Sequence, residues 1–240
     1  MQQRWFLFCV LHRVSPLLPH FLRHYAGLGF TDLVLAVHED AGKLDVQGHP
    51  ESHPPTLHLE RCYPGIQTGA RDALLCNGLR ALYIQRLEWH AVADLDEFHE
   101  WPGTLQRITE NCGDANCLIG EFVDRLAPDG SLQPILPEPD ISIQFPLKTR
   151  VTKRISRLRS RKIMLCRGIV PCWQGTTTWR TSGPCLWKEW STTTSGAGVI
   201  EQLTARRDAR QATEPTHMAM VDRLLSDLSG EDSVLSCRIA

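Results

Sequence analysis

The chain has 240 residues, 42% of them hydrophobic, and its 26 Lys and Arg nearly balance its 27 Asp and Glu, for a formal net charge of −1. That length and apolar content support a folded core, and the balanced charge excludes a bulk electrostatic reason to bind nucleic acid or an anionic membrane. Nine cysteines, at positions 9, 62, 76, 112, 117, 166, 172, 185 and 237, form no CxxC pair, and no signal peptide or spanning apolar run is found; the expectation is reduced thiols, a cytoplasmic setting and no transmembrane segment.

Trp5 to Leu11 is a continuous apolar run, the pattern of a strand covered on both faces. After Ser15-Pro16, Leu18, Phe21, Leu22, Tyr25 and Leu28 recur at helical spacing, with Gly27 and Gly29 near the end. "DLVLAVHED" (32–40) reads as a second strand. This β-α-β order predicts a parallel pair with a right-handed crossover, and in such sheets ligands bind beyond the carboxyl ends of the strands. Residues 41–60, rich in Gly, Pro and His, read as a loop: His49, His53 and His58 match no metal-site spacing, and Pro50, Pro54 and Pro55 interrupt any helix.

From 69 to 85, Ala73, Leu74, Leu79 and Leu82 mark a helix, and "EWHAVADLDEF" (88–98) reads as a third strand ending in acids. "WPGTLQRITENCG" (101–113) predicts a helix with Pro102 near its start and Gly113 at its end. "CLIGEFVDRLAPDGSLQPIL" (117–136) predicts two strands joined by a Pro128-Asp129-Gly130 turn. Lys148 to Lys162 holds eight Lys or Arg among fifteen residues, either a solvated face or a clamp for phosphate oxygens. "GVIEQLTARRDAR" (198–210) and "HMAMVDRLLSDLS" (217–229) read as amphipathic helices.

Asp94-Leu95-Asp96-Glu97 crowds three carboxylates into four residues. On an extended strand end the period of two puts Asp94 and Asp96 on one face. Mg²⁺ and Mn²⁺ favour such oxygen ligands, with water and substrate phosphate in the remaining positions, and the same ion neutralises a diphosphate leaving group. D-x-D occurs in many surface loops; what sharpens it here is its place at the mouth of a parallel strand, with Phe98 and Trp101 following.

"HAVADLDEF" resembles the acidic motif of glycosyltransferases of the family 2 type with a GT-A fold, particularly the bacterial group with a D-x-D-E-F strand end. "GLGFTDLVLAVHED", "GEFVDRLAPDGSL" and "KIMLCRG" continue the resemblance over residues 4–168, and it resumes at Gly198. It implies an α/β domain with a mostly parallel central sheet flanked by helices, and transfer of a sugar from a nucleotide-sugar donor to a glycan, lipid or small-molecule acceptor with Mn²⁺ or Mg²⁺. Asp94 and Asp96 would then approach the metal and the donor diphosphate. Glu97 would orient that shell or close the strand, and Arg13 would lie near the nucleotide or be a plain surface arginine. Asp124 would recognise the acceptor or act as general base, or simply pair with Arg125.

The resemblance breaks after "KIMLCRG", where family members carry histidines: none occurs between His99 and His217. Residues 169–197 instead hold four of the seven tryptophans and two Thr-Thr-Thr runs, Thr176–Thr178 and Thr192–Thr194. Threonine written ACC three times, read from the third base, gives CAC-CAC, two histidines. The segment is therefore expected to be either a translated frame slip or an authentic Thr/Trp-rich acceptor loop. The expected organisation is one domain over 1–240, with a core at 1–168, the anomalous 169–197 and C-terminal helices at 198–240. A nucleotidyltransferase or phosphotransferase, and a non-catalytic nucleotide-sugar binder, are the alternatives.

Overall fold

The computed structural model describes residues 3–11, 15–38, 55–62, 69–85, 88–150, 161–168 and 187–196. The backbone divides into two units, residues 1–121 with 161–194, and residues 122–160 with 195–240.

The first unit is built on β1 (Phe6–Leu11), which lies between β2 (Asp32–His38) and β4 (Trp89–Val92), both parallel to it, with Phe8 opposite Val34 and Val92. A strand in this position is covered on both faces, and β1 therefore carries apolar side chains without alternation. Phe6, Phe8, Val34, Ala36 and Val92 pack against Ala73, Cys76 and Leu79 of helix α2 (Gly69–Tyr83). Leu7, Cys9 and Leu11 turn to the other face, the side of α1 (Leu17–Gly27), whose buried Tyr25 lies within electrostatic range of Cys9. Helices thus cover both faces of an α/β sheet. The α1 helix ends where Gly29 takes φ +93° and Phe30 N–H returns to the Tyr25 carbonyl at 3.2 Å, a conformation that glycine adopts without Cβ strain.

Beyond β4 the sheet turns antiparallel. Strand β8 (Arg161–Arg167) pairs with β4 on one side and with β6 (Cys117–Leu126) on the other. With β3 (Thr56–Cys62), β5 (Glu97–Glu100) and β9 (Trp187–Gly196), the order is β3-β2-β1-β4-β8-β6-β9-β5. The register of β8 against β6 slips between Leu118, opposite Leu165, and Ile119, opposite Ile163. Met164 is the extra residue of a bulge, so Lys162 and Cys166, four apart, leave opposite faces of the sheet. Helix α3 (Leu105–Glu110) follows β5 and is capped by Thr104, whose hydroxyl accepts the Arg107 N–H at 3.3 Å.

In the second unit, the end of β6 pairs antiparallel with β7 (Leu147–Thr149), Asp124 opposite Thr149. Gly130, at φ +81°, closes the turn after β6. Helix α4 (Ile141–Gln144) is capped by Asp140, and Leu126, Ile135, Ile141 and Phe145 are buried.

Three sequence expectations need correction. Residues 56–60 are not loop but part of β3, parallel to β2; the prolines end at 55, and His58 is accommodated at the sheet edge by the Asp32 carboxylate at 3.0 Å and the ring of Tyr83. The run 88–98 is not one strand but β4 and β5 with a turn between them. The segment directly after Gly130 does not pair with β6, because 132–136 carry no strand; besides β8, β6 pairs with β7, which follows α4. The basic residues 151–160, Arg13, Thr176–Thr178 and the expected helices after 198 lie outside the described residues.

Candidate functional site

The acid cluster forms where β4 leaves the sheet beside β1. Ala93 N–H still bonds to the Phe8 carbonyl at 3.0 Å, and the chain then turns, Glu97 N–H donating to the Asp94 carbonyl at 2.9 Å. Asp94 and Asp96 therefore stand at the first and third positions of a β-turn, not along an extended strand end. The turn lies at the carboxyl ends of the parallel strands β1 and β4, where an open α/β sheet presents its ligand crevice. Asp94 is half-buried and Asp96 is buried.

Glu97 holds this turn together. Its carboxylate Oε2 accepts the Asp94 N–H at 2.9 Å and is ion-paired with Nζ of Lys162, both side chains almost fully buried. Its carbonyl accepts the Tyr25 hydroxyl at 3.0 Å from α1. Burial raises the Glu97 carboxyl to about 7 against the pull of Lys162, with Asp94 and Asp96 adding to the rise. Burial acts to lower the Lys162 ammonium, but Glu97, Asp94 and Asp96 hold it above its ordinary range. Burial and then Asp94 push the Cys9 thiol well above its usual value, so Cys9 stays protonated beneath the turn.

His99, on the same side of β5 as Glu97, is fully buried, and burial with the charge of Lys162 keeps it neutral. Its two ring nitrogens, and the indole nitrogen of Trp101 against which the ring packs, find no hydrogen-bond partner among the described residues.

Asp94, Asp96 and Glu97 are thus brought together; Asp124 belongs to the second unit, where Arg125 donates to the Phe145 carbonyl at 3.3 Å. Two carboxylates and a held turn suit a hard divalent ion that takes its remaining ligands from water and a diphosphate, but not a metal caged by protein alone. Among the described residues no three His, Cys, Asp or Glu side chains are grouped to hold an ion, and Glu97 is already committed to Lys162.

Lys162 is the residue sequence reasoning missed. The basic stretch drew attention as a whole, yet a lysine opening the apolar run "KIMLC" already hinted at burial. Only the bulge at Met164 carries it to the acid side, and no local sequence signal reveals that bulge.

The sequence matches no protein-family model and no curated protein. The fold is similar to that of HddC from Yersinia pseudotuberculosis (10% identity, TM-score 0.43, covering 85% of this chain and 97% of that one). It is also similar to UDP-glucose pyrophosphorylase from Acinetobacter baumanii (11%, 0.43, 95% and 100%). A third likeness is to Rv0371c from Mycobacterium tuberculosis in complex with manganese (15%, 0.38, 80% and 89%). At such identities and scores these likenesses do not identify an activity or a substrate. No helix among the described residues is long and apolar enough to cross a membrane.

Proposed function

We propose that the chain is a divalent-cation-dependent transferase acting on a nucleotide sugar, and within that class a glycosyltransferase. The observation that carries this reading is the position of the Asp94–Glu97 turn at the carboxyl ends of two parallel strands. When bound, Mn²⁺ or Mg²⁺ would supply charge neutralisation for a diphosphate leaving group. Asp94 and Asp96 would hold it, and Glu97, kept in place by Lys162 and Tyr25, would fix the turn that presents them. Arg13 is proposed on the nucleotide side and Asp124 as the carboxylate that takes the acceptor's proton.

Calorimetry with a panel of nucleotide-diphosphate sugars, with and without Mn²⁺, tests this reading together with a donor-hydrolysis screen. Cation-dependent binding with sugar release supports it. Cation-dependent binding without turnover indicates a binder, and pyrophosphate release from a nucleoside triphosphate and a sugar 1-phosphate indicates nucleotidyl transfer. No binding by any donor removes the site. If residues 169–197 are a frame slip, the coding DNA carries histidine codons in a shifted frame at Thr176–Thr178 and Thr192–Thr194; no such codons there means the segment is authentic.

A further inference from the structure

On the face of the sheet opposite the acid turn, three reactive side chains lie in a row across neighbouring strands: His90 of β4 opposite Cys166 of β8, and Cys166 opposite Cys117 of β6. Both thiols are 1% exposed, and neither is in a disulfide. The two cysteines are directly paired, and the hydrogen bonding settles which kind of pair they form. The Arg167 N–H donates to the Asn116 carbonyl at 2.8 Å, so residues 116 and 167 form a hydrogen-bonded pair and the adjacent 117 and 166 a non-hydrogen-bonded one. In that geometry the Cα atoms approach to about 4.5 Å and the side chains are at their closest, within the span of roughly 4.4–6.8 Å that a disulfide bridges.

Helix α2 lays the fully buried Arg80 over this row. Arg80 Nε donates to His90 Nε2 at 2.7 Å and Nη2 donates to Cys166 Sγ at 3.7 Å. Because a guanidinium can only donate, His90 Nε2 is an acceptor and the ring proton sits on Nδ1, which faces the Glu88 carbonyl at 3.4 Å. Cys166 Sγ lies 3.1 Å from the same Nε2, whose one lone pair already accepts the Arg80 Nε–H, so the group that meets the sulfur as a donor is the guanidinium, placed to stabilise its thiolate. A cation beside sulfur is the setting that makes one cysteine of a pair the reactive one.

We propose that Cys117 and Cys166 are an oxidisable pair that closes to a cross-strand disulfide on exposure to a hydroperoxide, with Cys166 the sulfur attacked first. The Cys166 thiolate attacks one oxygen of hydrogen peroxide; the O–O bond breaks and hydroxide leaves, taking up a proton as water, to give the sulfenic acid. The Cys117 sulfur then gives up its proton and displaces the sulfenic oxygen, which departs as a second water. Two thiols and one peroxide become one disulfide and two waters. The link ties β8 to β6.

The test uses the folded full chain, first unaltered and then with single substitutions. After brief treatment with hydrogen peroxide, remaining thiols are blocked with iodoacetamide and the protein is digested without reduction for mass spectrometry. The expected product is a peptide pair joined through Cys117 and Cys166, lighter by two hydrogens than the sum of its reduced parts and separated again by dithiothreitol. In Arg80→Met the link forms about tenfold more slowly, and in Cys117→Ser Cys166 proceeds to sulfinic acid. Recovery of both cysteines as blocked thiols while other cysteines oxidise, or a link that forms only in guanidinium chloride, would overturn the proposal.

Discussion

Among the described residues two buried cations lie against opposite faces of one sheet, and they are accommodated in different ways. On the α1 face Lys162 is met by a carboxylate, Glu97, with Asp94 and Asp96 nearby. On the α2 face Arg80 is met by His90, Asn77 and Cys166, and burial together with that guanidinium lowers His90 to about 3, so the imidazole stays a neutral acceptor. The first arrangement is charge against charge and fixes an acidic turn at the sheet's carboxyl edge. The second is a cation among polar acceptors and leaves a thiol beside it. Removing either cation therefore strands different groups.

Lys162→Met should do the most damage. It leaves the Glu97 carboxylate buried among like charges, and a broken buried pair costs about 3–5 kcal/mol. Urea unfolding checks this, and adding Glu97→Gln should recover most of the loss, since removing both charges strands neither. If the double variant is no more stable than Lys162→Met, the two side chains are not coupled. Arg80→Met should cost less, about 2 kcal/mol, because it leaves unpaired acceptors and no unpaired charge. Equal losses for the two substitutions would erase the distinction between the faces. Tyr25→Phe removes the hydroxyl that donates to the Glu97 carbonyl and accepts the His99 N–H, and should cost about 1 kcal/mol.

A third cation, half-exposed, sets the lower end of the scale. Arg4 and His58 bond the buried Asp32, and although burial opposes them they hold its carboxyl below the ordinary aspartate range. A lowered carboxyl pKa adds stability that is present above its unfolded value of about 4 and lost as pH falls through the lower folded value. Unfolding measured from pH 6 down to pH 2 should therefore show an acid-side loss that Asp32→Asn removes. Because Arg4 is half in water, the loss should stay below about 1 kcal/mol.

The parallel half of the fold was legible because parallel strands announce themselves as unbroken apolar runs, as "WFLFCVLH" and "DLVLAVH" do. β3 was hidden because Pro54, Pro55 and three histidines give 41–60 the composition of a loop, while the strand is stabilised by a contact 26 residues away, between His58 and Asp32. The acid triplet was legible as a cluster at the end of β4, but its turn was not, since that depends on Glu97 folding back onto the Asp94 N–H. Lys162 and Cys166 illustrate the hardest case. Their spacing of four in a strand places them on one face, and only the bulge between them sends one to the acids and the other to His90.

Whether the acid turn gathers a divalent cation for a nucleotide-sugar diphosphate is decided most directly by calorimetry on Asp94→Asn and Asp96→Asn beside the unaltered chain. The unaltered chain should bind a nucleotide sugar only when Mn²⁺ is present, and both variants should lose that heat while keeping the same urea midpoint. Binding that persists in both variants, or that proceeds equally well in chelator, would contradict the assignment.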